Sequence, residues 1–189
     1  NNIQLRDQDI VVIPVRRNTV EVDSAIVNPG IYEGVAGETV FDLIQYAGGL
    51  TPDAADNLDS EWHAIPFIPT SDNIAKIAIR SIKTGTPTAD ASVQIWGDTG
   101  GSGPDPEDVR YTKLLNTETL NKLGTTTPAD WFEIPIKPRL QVTPGEQLYI
   151  IFPKVGDASN TISVNYKSGS GTYWDSSDGT TWTSRTGKP

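Results

Sequence analysis

Val40, Leu43, Ile44 and Ala47 recur at i, i+3, i+4 and i+7, which is the apolar stripe of one short helix. Thr39 stands where its N-cap belongs, Asp42 three residues on completes a capping-box pair, and Gly48 supplies the left-handed residue that ends it. The pattern predicts a helix over about 39–47, preceded by a strand, the Pro29-Gly30 turn and a second strand. From about Glu61 the period changes to two. Ala75, Ile77 and Ile79 alternate with Lys76, Ala78 and Arg80; Val93 and Ile95 share a face; Ile162, Val164 and Tyr166 alternate with Ser163, Asn165 and Lys167. Leu148, Ile150 and Phe152 take one face while Tyr149 and Ile151 take the other, as in a strand covered on both sides. Thr143-Pro144-Gly145-Glu146 predicts a turn just before that strand, and 113–122 is a helical candidate.

Short strands between turn residues predict a mainly β protein: a small unit with one helix, followed by an antiparallel β-sandwich. The division reads as 1–57 for the first portion, 58–66 as linker and 67–189 for the sandwich. With 189 residues, 36% apolar and 21% charged, the chain suits one large domain or two small ones. No apolar run reaches the length of a membrane-spanning helix. A net charge of −9, with no basic cluster beyond Arg16-Arg17, argues against nucleic acid as a partner. With no cysteine, disulfides, thiol catalysis and cysteine–zinc sites are excluded. Residue 1 is Asn with no apolar segment behind it, so either a removed signal peptide or a fragment of a longer chain is expected.

The wording Asn28-Pro29-Gly30-Ile31-Tyr32, then Thr39 to Ala47-Gly48-Gly49-Leu50-Thr51, resembles the SLBB family, the soluble-ligand-binding β-grasp domains of bacterial polysaccharide-export outer-membrane proteins. Leu5-Arg6-Asp7-Gln8-Asp9-Ile10-Val11-Val12-Ile13-Pro14 is similar to the family's opening strand motif, with Gln8 where Gly is usual. The resemblance covers about residues 3–57 and implies an envelope protein handling polysaccharide. It also implies further strands after the helix; residues 53–60 lead elsewhere, so an open sheet edge over 9–14 or 20–26 is expected to pair with another strand. Over about 61–186 the order of landmarks resembles jelly-roll appendages of bacterial surface and secreted proteins. Those landmarks are Phe67-Ile68-Pro69, Lys83-Thr84-Gly85-Thr86-Pro87, Val93-Gln94-Ile95-Trp96-Gly97-Asp98, the Gly-rich 99–104, Trp131, Leu140 to Gly145, Tyr149, Tyr173-Trp174 and Thr181-Trp182, and the resemblance implies a jelly-roll-like sandwich. Ser176-Ser177-Asp178-Gly179-Thr180-Thr181-Trp182 approximates an Asp-box hairpin. There Asp178 would bond backbone N–H groups, Gly179 would take positive φ and Trp182 would fold over the turn.

Three kinds of chemistry are in reach of these residues. The only histidine, His63, falls in the predicted linker with no catalytic partner at a recognisable spacing, and no carboxylate pair sits in a hydrolytic motif, so no enzyme is expected. Asp98, Asp105 and Asp108 lie in a Gly/Pro-rich loop with the oxygens calcium needs but without EF-hand spacing; solvated acidity and a calcium site are both open readings. Tyr173, Trp174, Asp175 and Asp178 bring rings and short polar groups together, as a sugar-binding surface requires. The competing reading is that Trp174 and Trp182 cover the end of the core. The leading expectation is a non-enzymatic, extracytoplasmic protein (cell surface, periplasmic or secreted) that binds or positions surface polysaccharide. The alternative is a structural subunit of a filament, coat or secretion channel, a homo-oligomer paired through an open β edge.

Overall fold

The computed structural model describes residues 19–22, 26–35, 37–50, 54–125, 131–166 and 170–187. It is mainly β, its sheets antiparallel, and the chain divides into two compact units, Asn1–Thr51 and Pro52–Pro189. No helix among the described residues is long and apolar enough to cross a membrane.

In the first unit, β1 (Thr19–Val22) pairs antiparallel with β2 (Gly30–Glu33), Val20 opposite Tyr32. Helix α1 (Val40–Tyr46) starts at Thr39 with the expected capping box: the Thr39 hydroxyl accepts from the Asp42 N–H at 3.3 Å, and the Asp42 carboxylate accepts from the Thr39 N–H at 2.7 Å. Gly48 and Gly49 follow at φ +82° and +80°. A Cβ on Gly48 would stand 2.9 Å from the Asn28 side chain and 3.1 Å from that of Val27, so only glycine lets this stretch pack here. The contact is closed by Asn28 N–H donating to the Ala47 carbonyl at 2.9 Å and Val27 N–H to the Gly49 carbonyl at 3.0 Å. The two halves of the motif are thus one structural device, with Ile26, Leu43 and Ala47 buried behind it. Of the segment 20–26, residues 20–22 pair with β2 and Ile26 bridges Leu50, both within the chain. Segment 5–14 lies outside the described residues.

The second unit is two sheets sharing one core. The four-stranded sheet runs β3 (Ala54–Asn57), β10 (Thr161–Tyr166), β5 (Asn73–Thr84), β8 (Trp131–Gln141). The six-stranded sheet runs β12 (Thr183–Thr186), β11 (Thr172–Ser176), β4 (Trp62–Phe67), β9 (Leu148–Phe152), β6 (Ala91–Asp98), β7 (Pro104–Leu115). Ile77, Ile79, Ile134, Ile136, Ile162 and Val164 of the first sheet meet Val93, Ile95, Leu115, Leu148 and Phe152 of the second. Burying each such side chain stabilises the fold by roughly 1.5–3 kcal/mol. Strand β9 lies between β4 and β6 and is covered on both faces, as its run of apolar residues implies.

Four features differ from the sequence reading. Residues 54–67, read as the end of the first portion and a linker, are strands β3 and β4 of the two sheets, because their alternation is short and interrupted by Asp59 and Ser60. The helical candidate at 113–122 reduces to α2 (Thr117–Leu120), capped by Asn116, since Lys113 to Leu115 continue β7. Ala75 is exposed while Ile74 packs on the core, because the β5–β8 register shifts between Ile74 and Lys76. Ser163 and Asn165 are buried although they alternate with the core residues, β10 being interior to its sheet.

The outer strands of the sandwich are each poorly suited to pairing. β3 and β12 have four residues apiece. β8 carries Pro135 and Pro138, which lack an N–H, and a register shift opposite Ala75. β7 starts with Pro104 and Pro106, skips Arg110 in its register with β6, and turns Lys113 to the core-facing side opposite Val93. Prolines, bulges and an inward lysine are the devices that keep edge strands from adding neighbours.

Candidate aromatic face

The face of the six-stranded sheet turned away from the core carries a second apolar layer. Trp62 and Ala64 of β4, Trp96 of β6, Tyr149 and Ile151 of β9, Trp174 of β11 and Trp182 beyond it form one cluster. Period-two geometry puts them there: Trp96 alternates with Ile95, Tyr149 with Leu148 and Ile150, and Ala64 with His63 and Ile65, whose sides face the core. Trp96 and Tyr149 are buried, while Trp62, Trp174 and Trp182 keep part of their rings accessible. Trp96 meets Trp62 at a centroid separation of 6.2 Å and Trp182 edge-on at 5.9 Å; Tyr149 meets Trp174 edge-on at 6.5 Å. Edge-to-face pairs of this kind add about 0.5–1.5 kcal/mol beyond area burial. The Trp96 indole N–H donates to the side-chain Oε1 of Gln94 at 2.7 Å, two residues back on its own strand.

Two polar loops frame this layer. Residues 98–103 fold over Trp174: Thr99 donates from N and Oγ1 to the Gly103 carbonyl at 2.9 and 3.0 Å, and a Cβ on Gly103 (φ +120°) would stand 2.9 Å from the Trp174 ring. The turn 176–181 folds over Trp62. Asp178 Oδ1 accepts from the N–H groups of Thr180 and Thr181 at 2.8 Å each and from the Ser176 hydroxyl at 2.9 Å. Gly179, at φ +76°, lets the backbone come down on Trp62, a Cβ there standing 3.0 Å from its ring. The bonds from Thr181, Thr180 and Ser176 hold the Asp178 carboxyl well below the usual carboxylate range. This is the hairpin that the Asp-box-like spacing describes, but the ring beneath its turn is Trp62, while Trp182 packs edge-on against Trp96.

The sugar-binding candidates are brought together only in part. Neighbours in a strand point to opposite faces, so Trp174 joins the aromatic layer while Tyr173 and Asp175 turn to the core-facing side. Asp175 is committed there: its Oδ1 lies 2.7 Å from His63 Nδ1, and Arg185 Nε stands 3.8 Å from its Oδ2. His63 itself sits in β4 directly opposite Asp175, not in a linker. The pair went unnoticed in the sequence because 112 residues separate its members. Burial raises the Tyr173 phenol above its ordinary value, helped by the charges of Asp175 and Asp56.

The calcium candidates each have other partners. Asp98 accepts from Tyr149 Oη at 2.9 Å through Oδ1 and from the Gly101 N–H through Oδ2. Burial, then that bond to Asp98, pushes the Tyr149 phenol far above its ordinary value. Asp105 accepts from the Glu107 N–H at 2.9 Å, and Asp108 holds Arg110 Nη2 at 2.7 Å. The Arg110 bond keeps the Asp108 carboxyl below its ordinary value. Asp98, Asp105 and Asp108 do not converge on one point, and no group of three metal-ligating side chains occurs among the described residues.

The aromatic face is missed by sequence reasoning except at Trp174 and Trp182. The available signal was in β6 and β9, where large apolar residues occupy both parities of one strand. No protein-family model, curated protein or solved structure matches this chain.

Proposed function

We propose that this chain is a non-catalytic, extracytoplasmic binding module that holds or positions polysaccharide of a bacterial surface, an SLBB-like β-grasp portion leading into a jelly-roll-like sandwich. The observation that carries the reading is the outer aromatic layer. A sandwich needs one core, and this one has it between its sheets; yet four tryptophans and a tyrosine gather on the far side of one sheet. Sugars bind such surfaces by laying C–H faces on rings, with hydroxyls taken by nearby short polar groups. Here Trp62, Trp174 and Trp182 supply the rings, and the loops carrying Asp98, Thr99, Asp178, Thr180 and Thr181 supply the hydroxyl partners. Tyr173 and Asp175 have no part in it. Strand-pairing assembly is the weaker reading, since bulges, prolines and short lengths guard the outer strands of the sandwich.

A shallow surface of this kind yields weak affinity, a Kd of about 0.1–1 mM, or roughly −5.5 to −4 kcal/mol. Titration calorimetry of the full chain against neutral, amino and uronic oligosaccharides tests it. Binding of at least one class is expected, lost in Trp174→Ala and kept in Trp131→Ala, whose ring lies on the other sheet with half its surface exposed. Far-UV circular dichroism checks that both variants are folded. No binding at about ten times that Kd, or equal loss in both variants, rejects the reading.

A further inference from the structure

The sandwich is open along one seam, where the outer strands β7 and β8 of its two sheets face each other without pairing. The Tyr111 hydroxyl reaches the Pro135 carbonyl at 3.4 Å across this seam. Beyond that contact the strands flank a half-open cleft of about 200 Å³, bounded by Lys113 to Asn116 and Thr119 on one side and Phe132 to Pro135 on the other. Its inner wall is apolar: Leu115 and Ile134 are core residues, and Phe132 packs against them.

Lys113 makes this cleft unlike an ordinary packing defect. Opposite the buried Val93, it projects from the core-facing side of β7, so its stem runs along the apolar wall toward the mouth. It makes no hydrogen bond or ion pair among the described residues. The one carboxylate in the lining, Glu133, is bonded to Lys76. Asn116 Oδ1 is committed to Thr119, whose N–H and hydroxyl it accepts at 2.9 and 2.8 Å. The mouth therefore bears a positive charge in a chain of net charge −9.

We propose that this seam cleft binds a small carboxylic acid with an apolar body, its carboxylate on Lys113 and its body between Leu115, Phe132 and Ile134. The size fits: about 200 Å³ gives room for a six-membered ring with one carbon attached, its outer edge left in water. The charge fits as well, because a neutral ligand of the same shape leaves the lysine without a partner, and a charge-assisted bond is roughly twice as strong as a neutral one. The proposal is independent of the glycan reading, which concerns the opposite face of the six-stranded sheet.

The test is a titration of the isotope-labelled full chain with benzoate and with benzyl alcohol, followed by amide chemical shifts. Benzoate is expected to give saturable shifts at residues 113–119 and 132–134, binding about tenfold more tightly than the alcohol. Lys113→Met, a change at an exposed position, is expected to keep the fold and remove that preference. Absence of saturable shifts, shifts mapping elsewhere, equal binding of acid and alcohol, or unchanged benzoate affinity in Lys113→Met would each overturn the proposal.

Discussion

Removing His63 and Asp175 singly should cost more in sum than removing the two together. The two side chains are 12% and 11% exposed, with Nδ1 and Oδ1 2.7 Å apart, and they sit directly opposite each other on β4 and β11. His63→Ala strands a carboxylate almost out of water, with only Arg185, 3.8 Å away and largely exposed, to compensate among the described groups. Losing a hydrogen bond to a charged, buried group costs about 1.5–3 kcal/mol, and an uncompensated buried charge about 3–5 kcal/mol; the arginine brings the expectation to about 2–4 kcal/mol. Asp175→Ala leaves no buried charge behind and costs only the hydrogen bond to Nδ1, so about 1–2 kcal/mol is expected. Additivity would make the double variant cost about 3–6 kcal/mol, whereas it should cost only about 2–4, a coupling of about 1–2 kcal/mol. Urea unfolding followed by tryptophan fluorescence reads this directly, because all five tryptophans lie between residues 62 and 182. A coupling below about 0.3 kcal/mol would mean that the pair behaves like a solvated surface contact, and would refute the claim that it fastens β11 to the sheet.

Two further outcomes follow from the loops over the aromatic face. Gly103→Ala should lower stability by about 2–3 kcal/mol, since a Cβ meets the Trp174 ring at 2.9 Å and φ is +120°; Gly100→Ala, at φ +77° with nothing within 4 Å, should cost only the backbone part, about 1–2 kcal/mol. Equal losses of thermal stability in the two would remove the packing argument. The Asp178 carboxyl titrates lower folded than unfolded, so its turn bonds contribute fully above about pH 4, its unfolded value, and are lost as pH falls through the folded value. Urea midpoints between pH 6 and pH 2 should fall more steeply for the natural chain than for Asp178→Asn, and parallel curves would contradict this.

The helix and the main strands were legible because each is written in local terms. Thr39, Asp42 and Gly48 act within a few residues of the helix they bound, and the capping box forms as spaced. Ile77, Ile79, Val93, Ile95, Leu148, Ile150, Phe152, Ile162 and Val164 all reach the core from the faces their alternation assigns. What stayed hidden depends on partners far along the chain. Residues 54–57 become a strand only because β10, more than a hundred residues later, offers an edge. Ala75 leaves the core because of a register shift that period-two reading has no means to detect. The packing of Asn28 on Gly48 was invisible for the same reason, though both residues stand in the recognised motif.

The candidate site shows the same division between local and distant information. The Asp178 turn, a matter of six consecutive residues, has the bonds its spacing predicts. Grouping Tyr173, Trp174, Asp175 and Asp178 as one surface treated closeness in sequence as closeness in space, and a β-strand breaks that equation at every step. Trp174 goes to one side with Trp62, Trp96 and Trp182, which come from three other places in the chain; Asp175 goes to the other side and takes His63. Each side of β11 therefore has its own task. The polar side fastens the terminal hairpin to β4, and the aromatic side completes a layer that this hairpin's own turn helps to cover. A ligand on the aromatic face would press on the same hairpin that His63 and Asp175 hold in place. Weakening that pair should thus loosen the face before it disturbs the core, since the hairpin is hydrogen-bonded to the rest of the sheet through β4 alone.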